Sequence, residues 1–264
     1  MVVGRESAML LTIDIGNTNI TMGVFKQEDL LATTRISTDI ARMPDEYGLI
    51  ISQLLALKGI TLTEINALCM CSVVPPLTPI FVELSESFLG VQPLIVGSGT
   101  KTGIKIMYDH PRDVGADRIT DAAAALNIYG SPVIIVDIGT ATVFDAVSKH
   151  GEYLGGAIAP GLAIAADALF HSTSQLRRVE LSRPKTPIGK NTVHAIQSGL
   201  VLGYSDLITG MIGRFDEELG GNSKVIGTGG LAQIIADEVT LFDAIDPYLT
   251  LNGLKLIHEL NKTR

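Results

Sequence analysis

A repeat constrains this chain more than any other feature. The stretches "IDIGNTNITMGVF", starting at Ile13, and "VDIGTATVFDAVS", starting at Val136, each take an apolar run into Asp-Ile-Gly, then a polar turn, then a second β-rich run. The likeness continues past the motif. "KQED" leads into "LLATTRIS" in the first copy, and "KHG" leads into "EYLGGAIAPG" in the second. β-Branched residues separated by turn formers predict strand, turn, strand, turn, strand in both places. Any fold for this chain must build the same three-stranded unit twice.

Helical patterns follow each triplet: "DEYGLIISQLLALKG" in the first half, then "PGLAIAADALFHSTSQL" and "NTVHAIQSGLVLGYSDLITGMIGRFDEEL" in the second. Gly59 and Gly220 are the expected helix stops. Short apolar runs such as "ALCMCSVV" and "PLIVG" between helices predict mixed sheets covered by helices, not a β-sandwich. The expected fold is α/β in two similar halves, residues 1–118 and 119–264, with a helix over "DRITDAAAALNIYG" at the boundary.

Composition decides what the polar turns are for. With 46% hydrophobic residues in 264, the chain has material for large cores. A formal charge of -8 excludes a broad basic face, and with it nucleic acid or anionic membrane as partner. An anionic ligand must then be held locally. A tight turn after a strand presents successive backbone N–H groups, glycine lets phosphate approach the backbone, and Thr and Asn add donors. The aspartates before the glycines, Asp14 and Asp137, repel phosphate themselves and suit a cation, or its water shell, that bridges to phosphate. In "KVIGTGGLAQIIADEV" a strand meets a loop containing Gly229 and Gly230, and a helix is expected from about Leu231. Such a loop lets a base and ribose lie against backbone without Cβ interference. Each element alone is equally a packing turn. Walker and Rossmann spacings are absent, since "RPKTPIGKNT" lacks the leading glycine and "GSGTKTG" is wrongly spaced.

Other residues carry less chemistry. Cys69 and Cys71 stand two apart in a predicted strand, read as small apolar residues of a packed sheet, and no further thiols are available for a zinc site. The histidines His110, His150, His171, His194 and His258 are scattered and form no triad or zinc helix. The N-terminal apolar run is too short for a signal peptide or a membrane span and is interrupted by Asp14, so the expected location is cytoplasmic. Met9 directly precedes the first predicted strand, which leaves residues 1–8 to be read as an extension or an alternative start.

In this order "DIGNTN", "DIGTAT" and "GTGG" resemble the phosphate-1, phosphate-2 and adenosine motifs of the acetate and sugar kinase, heat-shock and actin superfamily. That likeness implies two ribonuclease-H-like (actin-like ATPase) halves with a nucleotide cleft between them. More narrowly, "SVVPPL", "KTGI", "YDHPRDVGADR", "GGAIAPGL", "PIGKNT", "QSGL", "TGGLA" and "DPYLTLNGLKLI" resemble, nearly end to end, a type III pantothenate kinase. The resemblance implies transfer of the ATP γ-phosphoryl group to pantothenate, giving 4'-phosphopantothenate at the first step of coenzyme A synthesis. It also implies Mg²⁺ with ATP, a monovalent cation (K⁺ or NH₄⁺) and a homodimer.

Carried over by motif, Asp117 is the general base, while Tyr108, Gly115, Ala116, Asp117, Arg118 and Thr192 line the pantothenate pocket. Asp14, Ile15, Gly16, Asn17, Thr18, Asn19, Ile20 and Thr21 hold the ATP phosphates, and Thr140 contributes from the second turn. Gly229 and Gly230 face the adenosine, Asp137 ligates the monovalent cation, and Asp14 stands on the metal side of the phosphates. The chemistry of "GADR" agrees: an aspartate opening a helix can receive a hydroxyl proton, and a neighbouring guanidinium can grip a carboxylate. From the residues alone, the favoured reading of Asp117 is a helix-start residue stabilised by the dipole, and Arg118 reads as a surface ion-pair partner; the resemblance reverses both. A ligand-binding regulatory protein that has lost activity is the alternative. Three departures from the family pattern stand out: Val143 where a second threonine is expected, Asp121 one helical turn after Asp117, and Arg177 where proline is expected.

Overall fold

The computed structural model describes residues 9–173, 176 and 178–262, so residues 1–8 and Arg177 lie outside the described residues. Cα packing groups the chain in two compact units. The first holds the chain up to Gly103, Arg112–Ala124 and everything from Thr250; the second holds Ile104–Pro111 and Ala125–Leu249. The sequence expectation runs one cut after residue 118, whereas the packing returns the C-terminal segment to the first unit.

In the first unit β1 (Met9–Ile15), β2 (Asn19–Lys26) and β3 (Asp29–Ser37) form an antiparallel meander. Helix α1 (Pro44–Ala56) then leads to β4 (Ile65–Ser72), parallel to β1, and α2 (Leu77–Leu84) leads to β5 (Leu94–Ile95), parallel to β4. The sheet order is β3-β2-β1-β4-β5. The short strand β6 (Lys105–Ile106) belongs to the second unit, and helix α3 (Ala116–Tyr129) contributes residues to both.

The second unit repeats the plan. An antiparallel meander of β7 (Val133–Ile138), β8 (Ala141–Val147) and β9 (Glu152–Pro160) is followed by α4 (Leu162–His171), α5 (Thr192–Gln197) and α6 (Gly203–Leu219). Strand β10 (Lys224–Thr228) runs parallel to β7, and after α7 (Ala232–Ala236) strand β11 (Ala244–Ile245) runs parallel to β10. Helix α8 (Leu249–Asn261) closes the chain. The sheet order β11-β10-β7-β8-β9-β6 is the first order read backwards, with β6 added at the edge. Gly220 caps α6 in the left-handed region at φ 90°, as a helix stop should.

Period 2 along the strands decides which residues meet. On β1, Leu11, Ile13 and Ile15 face a core shared with Tyr47, Ile51 and Leu55 of α1 and Leu77, Phe81 and Leu84 of α2. The opposite face carries Leu10, with Cys69 and Cys71 of β4, under Leu251, Leu254 and Ile257 of α8. This apolar stripe on α8 is what draws the C-terminal segment back to the first unit. Gly253 permits the contact, because a Cβ there would overlap the Thr120 carbonyl of α3. In the second unit Ile134, Val136, Ile138 and Phe144 pack with Leu200, Val201, Ile208, Ile212 and Ile235. No helix among the described residues is long and apolar enough to cross a membrane.

Candidate active site

In the first unit the site grows from the even face of β1. Asp14 ends that strand and stands in one rung with Cys71 on β4, Thr21 on β2 and Arg35 on β3. The Cys71 thiol donates a hydrogen bond to Asp14 Oδ1 at 3.4 Å. The turn that follows is closed by Gly16 N–H donating to the Asn19 carbonyl at 3.0 Å, and Asn17, Thr18 and Asn19 stay exposed. Thr38, just past β3, secures the turn: its hydroxyl donates to the Gly16 carbonyl at 2.6 Å and its N–H to the Thr18 carbonyl at 3.0 Å. A loop held this way keeps its polar tips ordered toward solvent.

Helix α3 brings the second carboxylate. Asp117 lies in its first turn, and Asp117 Oδ1 accepts the Arg118 N–H at 2.8 Å. Gly115 makes room for this, since a Cβ there would overlap Asp117 Oδ1. The carboxyls affect one another. Burial pushes Asp14 up to about 7, the negative charge of Asp117 adds to the rise, and the Cys71 hydrogen bond and Arg35 oppose it. Burial also raises Asp117, held back by the Arg118 N–H and then the Arg118 guanidinium. Cys71 is pushed well above its usual value by burial and by the charges of Asp14, Asp117 and Asp121. Asp121, one helical turn after Asp117, is only 4% exposed, while Asp117 itself is half-buried. A general base must be ionised to take a proton and basic enough to keep it, and burial moves Asp117 toward greater basicity.

In the second unit Asp137 ends β7 in a rung with Thr228, Val143 and Ile158. Val143 therefore puts methyl groups where Thr21 stands in the first copy. The turn is clamped on both sides by glycines. Gly139 N–H donates to the Ala141 carbonyl at 3.0 Å, and Gly161, after β9, donates to the Thr140 carbonyl at 3.1 Å. A Cβ at Gly229 would overlap Asp137 Oδ1 and come within 2.7 Å of the Ile138 backbone, at φ +93°. The glycine loop is thus seated directly on the second aspartate turn, with Leu231 N–H donating to the Ile138 carbonyl at 3.0 Å. The helix expected after it, α7, has only five residues, so its dipole adds little. Gly230 is exposed beyond it.

Two expected pocket residues stand elsewhere in the second unit. Thr192 opens α5 and is exposed, after Asn191, whose side chain caps the helix by accepting the His194 N–H at 2.9 Å. Tyr108 follows β6 and lies over Gly155. The structure therefore gathers Asp14, Gly16, Thr21, Gly115, Ala116, Asp117 and Arg118 in the first unit. It gathers Asp137, Thr140, Gly229 and Gly230 around one turn of the second. Sequence reasoning missed Cys71 as a partner of Asp14, along with Thr38 and Gly161. The opposition of Asp14 and Cys71 exists only once β1 and β4 are paired in parallel, and no spacing in the chain announces it.

The donors fit the groups a phosphoryl transfer needs. Carboxylate, hydroxyl and amide oxygens suit a hard divalent cation, which takes one or two protein carboxylates and completes its shell with phosphate and water. Among the described residues no three His, Cys, Asp or Glu side chains converge as a metal site.

Comparison with known proteins bears on the family and the fold. The sequence profile of the family described as type III pantothenate kinase matches residues 10–214. A protein of that description from Moorella thermoacetica is 50% identical over 96% of this chain and 100% of its own length. One from Geobacter sulfurreducens is 49% identical, again over 96% and 100%. Among solved structures, component A of the (R)-2-hydroxyglutaryl-CoA dehydratase of Acidaminococcus fermentans superposes at TM-score 0.54 and 15% identity, covering 97% of this chain and 100% of that one. The ROK hexokinase of Thermus thermophilus does so at TM-score 0.51 and 12% identity, covering 96% and 100%. At those identities the likeness speaks for the fold alone, which is that of the actin-like ATPases and sugar kinases.

Proposed function

Because the chain belongs to the type III pantothenate kinase family, we infer that it transfers the γ-phosphoryl group of ATP to pantothenate, yielding 4'-phosphopantothenate for coenzyme A synthesis. The observation that carries the assignment to particular residues is the approach of two half-buried carboxylates, Asp14 near the end of β1 and Asp117 in the first turn of α3, close enough for the charge of Asp117 to raise Asp14.

Asp117 accepts the proton of the pantothenate hydroxyl as the new P–O bond forms, and its burial readies it for that proton. The Arg118 guanidinium, next in sequence, binds the acceptor's carboxylate in fork geometry. Gly16 to Thr21 cradle the phosphates with backbone and side-chain donors, Thr140 serves from the second turn, and the Gly229–Gly230 loop receives the adenosine. Asp14 would stand on the side of Mg²⁺, which when bound would supply charge neutralisation for phosphoryl transfer, and Asp137 would hold the monovalent cation. Positioning and electrostatics do most of the work, and no covalent intermediate is needed. The same reading divides function near residue 118, with the first phosphate turn and the base before it and the second turn and glycine loop after it.

The reading extends to a homodimer, supported by the exposed apolar side chains Ile158, Ile164 and Ile188 of the second unit. It extends also to the cytoplasm, where ATP is available and the buried thiols Cys69 and Cys71 stay reduced. One assay tests the function: ADP release from ATP with pantothenate, fructose, glycerol or acetate, each in K⁺ and in Na⁺ buffer. Turnover that needs pantothenate and K⁺ is the expected result. Turnover with a sugar or acetate, or none with any acceptor, overturns it, and the last outcome favours the regulatory alternative.

A further inference from the structure

Tyr108 is held in place by an arrangement that touches neither aspartate turn. Its strand, β6, pairs in parallel with Glu152 and Tyr153 of β9, and the Met107 N–H donates to the Tyr153 carbonyl at 2.8 Å. This pairing delivers the Tyr108 ring onto Gly155, where a Cβ would lie 3.1 Å from ring carbons Cδ2 and Cε2. Gly155 also has φ +126°, a conformation that L side chains rarely adopt. Behind them, the Tyr153 ring lies 6.4 Å from that of Tyr108, tilted by 42°. Tyr153 is fully buried, and its hydroxyl donates to Asp145 Oδ1 at 2.8 Å.

Asp145 is 2% exposed. A carboxylate is costly to bury, and it fixes the donors that satisfy it, because moving one exposes the charge to an apolar surrounding. The Asp145–Tyr153 bond therefore locks the Tyr153 ring, and the locked ring and Cβ-free Gly155 together define where Tyr108 rests. Tyr108 itself remains 36% exposed, so its outer side is open to a ligand. An aromatic ring seated against backbone is a stiff apolar surface, and stiffness is what orients a small acceptor for in-line attack.

We propose that Gly155 and the Asp145–Tyr153 pair are positioning residues for the acceptor: by fixing the Tyr108 ring as a wall of the pantothenate pocket, they set affinity for pantothenate separately from affinity for ATP. The proposal rests on the reading of Tyr108 as a pocket residue, and the experiment separates the two.

Steady-state kinetics on the full chain compare Tyr108→Ala, Gly155→Ala and Tyr153→Phe, with calorimetric titration of pantothenate into each variant as a second readout. Tyr153→Phe keeps the ring and removes the hydroxyl that bonds Asp145, so, once its folding is checked by circular dichroism, it decides the matter if Gly155→Ala fails to fold. The expected result is a pantothenate KM and Kd raised roughly 10- to 100-fold in all three, with the ATP KM within about 2-fold of the parent. Should Tyr108→Ala raise the pantothenate KM while folded Gly155→Ala and Tyr153→Phe keep the parental value, the positioning role is wrong and the pocket reading stands. An unchanged pantothenate KM in Tyr108→Ala overturns both. Equal losses for ATP and pantothenate in the folded variants also overturn the proposal, since general structural damage predicts that pattern.

Discussion

The two Asp-Ile-Gly turns share a backbone plan and differ in what surrounds them. Around Asp14 the rung reads Cys71, Asp14, Thr21, Arg35, and helix α3 adds Asp117 and Asp121 nearby. Around Asp137 it reads Thr228, Asp137, Val143, Ile158, and the Gly229 loop closes over the carboxylate. One copy is set among titrating groups, and the other is packed tightly against backbone. Duplicated strands thus place two carboxylates alike and different neighbours surround them; on the function proposed above, the first serves proton and phosphate chemistry and the second seats nucleotide and cation.

The contrast can be broken most forcefully at Asp117. Asp117→Asn is expected to lower kcat by about 10²- to 10⁴-fold while the ATP Kd stays near the parental value. Near-normal turnover would remove proton chemistry from the first turn.

Next in size is a pH effect confined to that turn. Asp14 has a native value of about 7 against 3.8 in the unfolded chain, so the native state holds the extra proton between those values. Its contribution to stability is complete below about pH 4 and is lost as pH rises through 7, a difference of up to about 4 kcal/mol. Asp14→Asn removes this dependence. Calorimetric melting of the ligand-free protein should show the variant gaining on the parent by several degrees between pH 5 and pH 8.5, and a constant difference would show that Asp14 titrates normally.

The glycines sharpen the other side. Gly229→Ala pushes a methyl into Asp137 at a positive φ and should cost about 1–3 kcal/mol in denaturant unfolding, with a raised ATP KM. At Gly16 the nearest atom to a Cβ is the Asn19 carbonyl oxygen at 3.0 Å, so Gly16→Ala should cost less. The reverse order would mean that the first turn is the more tightly built.

Two smaller effects complete the comparison. Asp121→Asn relieves repulsion within one helical turn of Asp117 and should move the acidic limb of the kcat/KM profile to lower pH by a fraction of a unit. An unmoved limb shows no coupling. Val143→Thr restores the hydroxyl that the first copy has at Thr21, and is expected to change the ATP KM by no more than about 2-fold in steady-state assays.

Much of this was readable in the chain. The repeat from Ile13 and Val136 foretold two three-stranded meanders because strand alternation and turn residues act over a few neighbours. Asp14, Asp137 and Gly229 stand out as candidates because they sit in local turns, the two aspartates in a repeat, whereas Asp117 stands out only through the resemblance of "GADR" to the family motif. Cys71 was read as packing, and it is indeed buried, yet its hydrogen bond to Asp14 was not foreseeable from "ALCMCSVV". Gly115 also has a packing reason that the chain does not announce: it leaves the gap into which the Asp117 carboxylate folds. The sheet edge made by β6 and β9 left no signal, since two residues of "KTGIKI" are too few to show a period.

By itself the sequence determined the fold class, the duplication and the family, since each depends on patterns that repeat or stand contiguous along the chain. Tertiary structure alone decided that α8 returns to cover the even face of β1, that Asp14 stands between Cys71 and Arg35, and that Tyr108 rests on Gly155. Those contacts join residues far apart in the chain. Only strand register and the burial of apolar faces choose among their many possible partners.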